Sequence, residues 1–265
     1  PAAGHEGGDS LTREWDSTIA RLPAEAASSL WRGYCDAVQG GLLGHWLAGR
    51  RFRRALKTDA WDEATGEGLV PVLPRFATAV AWMDCSLCVL DRARRRHGPL
   101  TLVAADVRRL PFASETFDLV FSGSTLDHFG AAGEIQAALA EIARVLARGG
   151  ILVLTLDNPL NPVVALRNAL PDGLRRALRI TPYPVGKTLG PRRLREALRE
   201  AGLEVVWTSA IAHFPRWPAV WLCRWLSGRG FGRRIPGMLL AWEALARWPL
   251  RWFTGHYLAV EAVKP

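Results

Sequence analysis

The chain has 265 residues, room for one large α/β domain or two small ones, and 49% of them are hydrophobic, which excludes wholesale disorder. Its net charge of +9 favours anionic partners (nucleic acid, a membrane surface, acidic metabolites), unless it only reflects arginine-rich usage. Four cysteines make no disulfide framework, no basic-then-apolar leader opens the chain, and no run of about 18 uncharged apolar residues occurs. The expectation is therefore a cytoplasmic protein without a transmembrane helix, with membrane association left open.

Residues 1–9 are small and polar and read as loose chain, and 10–50 carry apolar positions at helical spacing, so residues 1–50 form an N-terminal helical segment. Strand and helix patterns then alternate. Residues 53–59 read as a first strand, and Gly68 and Leu69 as the start of a helix. ATAVAWMD is a second strand, SLCVLDRARRR a helix with a basic end, LTLVAADV a third strand and TFDLVFSG a fourth. EIQAALAEIARVLARGG is an amphipathic helix closed by glycine, and ILVLTLDN a fifth strand. Such alternation predicts right-handed crossovers and a parallel sheet covered on both faces. After residue 158 the rhythm breaks: 159–213 adds proline-punctuated helices and LEVVWTSAIAHF, 214–254 is rich in tryptophan and arginine, and 255–265 is a final strand.

In a doubly wound sheet, ligands bind beyond the carboxyl ends of the strands. Here those positions hold Asp59, Asp84, Asp106, the stretch Ser122 to Ser124, and Asp157. Acids at four of five strand ends suit a ligand offering hydroxyls and amines rather than phosphates; the alternative is that they cap the following helices. No G-x-G-x-x-G follows the first strand, which argues against a nicotinamide dinucleotide. Cys85 and Cys88 form a lone CxxC with no second pair and read as small core residues, and no metal site is expected.

MDCSLCVLDRARRR, AADVRRLPFASETFDLVFSGSTLDHF and EIARVLARGGILVLT resemble consecutive motifs of the class I S-adenosylmethionine-dependent methyltransferases. The resemblance covers about residues 51–158, which it marks as a cofactor-binding core. It implies a Rossmann-like, seven-stranded, mostly parallel sheet with a helical insertion between the last two strands, and S-adenosylmethionine as cofactor. It also implies that Asp84 binds the ribose hydroxyls, Asp106 accepts from the adenine amino group beside the Val107 N–H, Cys85 packs along the adenine, and Ser122 and Gly123 pass under the methionine part. The departure is the first loop, where Asp59 stands in place of the family's glycine and Gly66 and Gly68 come late. With Thr58, the acids Asp59, Asp62 and Glu63 are candidates for the cofactor's ammonium, and Gly66 for close backbone approach.

On the acceptor side, His128 and Asp127 are candidate bases for a hydroxyl acceptor. Asp157, Asn158 and His213 are candidates to orient the acceptor. Trp31 and Tyr34 of the N-terminal helix, with Trp221 of the 214–254 stretch, are candidates to close over it. That stretch has seven arginines and one acid, Glu243. Tryptophan with arginine suits a hydrophobic or lipid-like acceptor, a membrane interface, or, less well, nucleic acid; it also suits a plain helical cap. The leading expectation is a methyltransferase acting on a small, hydrophobic or lipid-like acceptor. A non-catalytic cofactor-binding protein and a membrane-peripheral protein are the alternatives.

Overall fold

The computed structural model describes residues 6–22, 30–177, 185–215 and 235–265. They form an α/β fold whose seven-stranded sheet has the order β3-β2-β1-β4-β5-β7-β6. The strands are β1 (Phe52–Lys57), β2 (Ala77–Asp84), β3 (Thr101–Ala104), β4 (Phe117–Gly123), β5 (Leu146–Asp157), β6 (Glu204–Ile211) and β7 (Tyr257–Val263). The pairs among β1 to β5 are parallel, and β7 runs antiparallel to both β5 and β6. The order reverses between β1 and β4, which opens a crevice beyond the carboxyl ends of those strands.

Two helices precede the sheet, α1 (Glu6–Arg21) and α2 (Leu30–Trp46). After β1 come α3 (Trp61–Thr65) and a short 3-10 turn at Leu73–Arg75; α4 (Leu87–His97) and α5 (Ala132–Val145) join the next strands. Past β5 lie α6 (Pro162–Ala169), α7 (Asp172–Ala177) and α8 (Pro191–Glu200). Between β6 and β7 the described residues hold α9 (Ile235–Leu240), a 3-10 stretch (Ala241–Arg247) and α10 (Arg251–Thr254). Local chemistry sets several of these ends. Ser86 caps α4 by accepting from the Val89 N–H at 3.1 Å, and four basic residues fill its last turn. Asn161 caps α6 with Pro162 in its first turn.

Alternation along the strands covers both faces. Leu56, Val120, Leu152, Leu154 and Val260 pack with Ile135, Leu139 and Ile142 of α5 and Leu194 and Leu198 of α8. Ala55, Trp82, Leu119, Phe121 and Val153 point the other way, against Leu43, Leu47, Leu69 and Leu73.

Some boundaries differ from the sequence pattern. Residues 6–9 belong to α1 rather than to loose chain. Gly68 and Leu69 do not start a helix: α3 is already over at Thr65, and Gly68 sits in a left-handed turn at φ 55°. The helix before β5 stops at Val145, because Leu146 turns extended and pairs with Phe117 of β4. Among the described residues, no helix is long and apolar enough to cross a membrane.

Candidate functional site

A cavity sits at the switch point, and the strand-end residues Asp59, Asp84, Asp106, Gly123 and Asp157 all line it. Thr58, Cys85 and Val107 line it as well, as do Asp127 and His128.

Asp84 is buried at the end of β2 and held by two backbone donors. The Ala60 N–H donates to its Oδ2 at 3.0 Å and the Ser86 N–H to its Oδ1 at 2.9 Å. Each oxygen keeps one lone pair, so the carboxylate can still accept from a vicinal diol. Burial pushes its pKa up to about 6, against these two bonds. Next to it, Met83, Cys85, Ala105 and Val107 form an apolar slot. Both oxygens of Asp106 already accept from Arg108, whose N–H donates at 2.8 Å and whose guanidinium chelates the carboxylate.

The first loop is built around a charge cluster. Lys57, fully buried in β1, donates to Asp59 Oδ1 at 3.1 Å, to the Asp59 carbonyl at 3.0 Å and to Glu63 Oε2 at 3.0 Å, with Asp62 Oδ2 at 3.7 Å. Arg32 of α2 pairs with Asp36 at 3.1 Å and Asp62 at 2.5 Å. Four carboxylates thus surround two cations. Burial, opposed by Lys57, pushes Glu63 up to about 7; burial, opposed by Arg32, pushes Asp36 up to about 6. Asp59 is also raised by burial, and its Oδ2 accepts from Thr125 Oγ1 at 3.0 Å.

This cluster corrects two expectations. Glu63 is not at the cavity: it is fully buried, and its remaining oxygen accepts the Leu69 N–H at 2.9 Å. Gly66 does not line the cavity either. A Cβ there would come within 2.7 Å of Arg32, and one at Gly68 within 2.3 Å of Glu63 Oε1. The late glycines make room for the ion cluster, not for a ligand.

The far end of the cavity is acidic and aromatic. Asp127 is 3% exposed; its Oδ2 accepts the Asp157 N–H at 2.8 Å, while its buried Oδ1 has no hydrogen-bond partner. His128 Nε2 lies 3.9 Å from that oxygen. Burial and the neighbouring Asp157 push Asp127 up to about 6. Asp157 itself is held low: burial would raise it, but ion pairs with Arg167 and His256 outweigh burial. Ser124 is a non-glycine residue at φ 51°, backbone strain that concentrates at sites, and its hydroxyl is buried without a partner.

The other expected residues are placed elsewhere. Ser122 is fully buried and takes a bond from Thr58 Oγ1 at 2.9 Å, so Ser124 lines the cavity in its stead. Asn158 is fully buried and bonds the carbonyls of Trp252 and Gly255. His213 is buried against Thr254 Oγ1 and the Ala210 carbonyl, and burial lowers its pKa. Tyr34 donates to Glu243, which also accepts the Ala212 and His213 N–H groups; Trp31 packs beside it in an apolar cluster. These five residues hold the fold together and do not line the cavity. Trp221 lies outside the described residues.

Sequence reasoning expected helices before the sheet but missed that α1 reaches the cavity. Leu11 and Trp15 line the cavity, with the Trp15 ring edge-on to Trp61 at 5.1 Å and to His128 at 4.8 Å. Asp16 of the same helix accepts from Ser86 Oγ at 2.5 Å. It also missed Lys57, although a lysine at the end of a strand with acids two, five and six residues later is a readable signal.

Residues 62–154 match the family model described as a methyltransferase domain. Residues 62–154 are thus a methyltransferase domain, in a fold of the class I S-adenosylmethionine-dependent methyltransferase type. The domain is similar to the demethylmenaquinone methyltransferase of Corynebacterium kroppenstedtii, at 38% identity over 130 residues, 48% of this chain and 55% of that protein. It is also similar to the malonyl-[acyl-carrier protein] O-methyltransferase of Salmonella typhimurium, at 31% identity over 110 residues, 41% of each chain. The chain thus spans about half the length, or less, of these curated relatives. A SAM-dependent methyltransferase from Thermotoga maritima shares the methyltransferase fold, with a TM-score of 0.58 at 14% identity over 89% of this chain and 92% of that one. The class I cofactor fits the domain's side chains: a fixed carboxylate with spare lone pairs for a diol, an apolar slot beside it, and an acidic cluster with more negative than positive groups for an ammonium.

Proposed function

We propose that the domain binds S-adenosylmethionine in this cavity and methylates a small, hydrophobic, lipid-like acceptor that carries an acidic hydroxyl. The observation that carries the reading is Asp84, fixed by two backbone N–H groups at the strand end with one lone pair free on each oxygen. Asp84 would hold the ribose diol. Met83, Cys85 and Val107 would face the adenine, with Asp106 at its edge. Asp59, set by Lys57 and Thr125, would take the ammonium, and Thr58, Gly123 and Ser124 would flank the methionine part.

When bound, the cofactor supplies an electrophilic methyl group on a sulfonium. The chain's part is to align the acceptor and receive its proton. Asp127 Oδ1 is buried, unpartnered and at the cavity, and with a pKa of about 6 its carboxylate is mostly ionised at neutral pH. With the cofactor bound, it would accept the proton of the acceptor hydroxyl, with His128 Nε2 3.9 Å from the same oxygen. Asp157, kept ionised by Arg167, holds Asp127 in place through its N–H. Trp15, Phe129 and Tyr257 give the acceptor an apolar bed.

Between the acceptors named for the relatives, a quinol-type hydroxyl suits this end better than a malonyl carboxylate, which Asp127 and Asp157 would repel. The test supplies methyl-tritiated S-adenosylmethionine with a prenylated naphthohydroquinone or a malonyl thioester. Label entering the hydroquinone and not the thioester supports the reading. Transfer to the carboxylate alone, or to neither, overturns the acceptor class.

A further inference from the structure

The outer surface beside the acceptor end has the make-up of a membrane-binding face. Helix α6 is two-sided: Val164 and Arg167 turn inward, with Arg167 on Asp157 of the cavity wall, while Val163 and Leu166 stand on the outer side, Leu166 67% exposed. Beside it, Trp248, Leu250 and Phe253 are each more than half exposed at α10. The two segments are one surface, not two. Asn158 donates to the Trp252 carbonyl at 2.8 Å and Asn161 to the Thr254 carbonyl at 3.1 Å, and Leu160, Arg192, Arg193 and Trp252 line one shallow groove.

The charge on these segments is one-sided. Leaving out Arg167, which is paired with Asp157, residues 159–177, 185–193 and 235–254 carry seven arginines and lysines against two acids. One of the acids, Glu243, is consumed by the Ala212 and His213 N–H groups and Tyr34. Exposed tryptophan, leucine and phenylalanine ringed by arginine is the pairing that seats a protein at a bilayer surface: the apolar groups enter the headgroup boundary and the cations meet lipid phosphates.

We propose that this face docks the protein on an anionic lipid membrane, so that a membrane-dissolved molecule reaches the cavity past α6 and α10. The inference concerns a surface outside the pocket and goes beyond the methyl-transfer reading. Its test needs neither cofactor nor acceptor.

The full chain is sedimented with vesicles of phosphatidylcholine containing 30 mol% phosphatidylglycerol, and with pure phosphatidylcholine vesicles. Partition onto the anionic vesicles at least tenfold above the neutral ones is expected. It should fall with added salt, by at least about tenfold in Trp248→Ala/Phe253→Ala, and by about fivefold in each of Arg192→Ala and Arg247→Ala. All four positions are exposed, and titration with S-adenosylhomocysteine checks that each variant keeps the wild-type pocket. Absence of partition onto anionic vesicles, or equal partition of wild type and double variant, overturns the proposal. So does the finding, by sedimentation velocity without lipid, that Trp248→Ala/Phe253→Ala dissociates a dimer, because the face would then be covered by a second copy.

Discussion

Replacing Lys57 by methionine tests how the unusual first loop is held. The side chain is fully buried and its ammonium reaches Glu63 at 3.0 Å and Asp59 at 3.1 Å. Methionine fills a similar volume and removes the charge. Asp62 keeps Arg32 at 2.5 Å, so the carboxylates left without a cation are Asp59 and Glu63. Breaking a buried pair by removing one partner costs about 3–5 kcal/mol, a large share of the roughly 5–15 kcal/mol that stabilises a typical protein. The loss depends on pH. Glu63 titrates near 7 in the fold against an ordinary 4.5, so its ionisation already costs stability as pH rises through that window. Without Lys57 its pKa moves higher still. At pH 5.5 the proton takes the lysine's place and the loss shrinks; at pH 8 it is largest. Urea unfolding at the two pH values measures this. Lys57→Met/Glu63→Gln should be less destabilised at pH 8 than Lys57→Met alone. A loss under about 1 kcal/mol at pH 8, or the same loss at both pH values, would refute the reasoning.

The remaining predictions concern the cavity. Asp84→Ala removes two charge-assisted hydrogen bonds to the ribose, each worth about 1.5–3 kcal/mol, so the Kd for S-adenosylmethionine should rise at least about tenfold by calorimetry. The same variant should lose the part of the stability decline that wild type shows as pH rises from about 4 to about 6, since Asp84 is harder to ionise in the fold than in the unfolded chain. Asp59→Asn should weaken S-adenosylmethionine and S-adenosylhomocysteine alike and leave 5′-methylthioadenosine, which lacks the ammonium, nearly unchanged; equal losses for all three would mean that Asp59 only shapes the loop. Asp127→Asn should lower kcat by about 10²–10⁴ with cofactor affinity within twofold, and should abolish the fall in wild-type kcat below pH about 6 that protonation of Asp127 causes.

The sheet was legible because its strands are short apolar runs separated by helices with readable caps: ATAVAWMD coincides with β2, and the strand-end acids Asp59, Asp84, Asp106 and Asp157 meet at one cavity. What the sequence hid was pairing across the chain. Glu63 and Gly66 look like ligand contacts in a linear reading that overlooks Lys57, and nothing local shows that Arg32 of α2 also claims that space. Tyr34 and His213 look like acceptor contacts until Glu243, 209 residues from Tyr34, is seen to bind them together. Trp15 was overlooked for the opposite reason: α1 carries no motif, and only its packing against Trp61 and His128 brings it to the cavity.

Titration of the full chain with S-adenosylhomocysteine by isothermal calorimetry tests the central claim most directly, because the product carries the ribose, adenine and ammonium that the cavity is proposed to read. One saturable site with a micromolar Kd, displaced by S-adenosylmethionine and weakened at least about tenfold in Asp84→Ala, is the predicted result. No saturable heat at millimolar ligand, or binding that Asp84→Ala leaves unchanged, would contradict it.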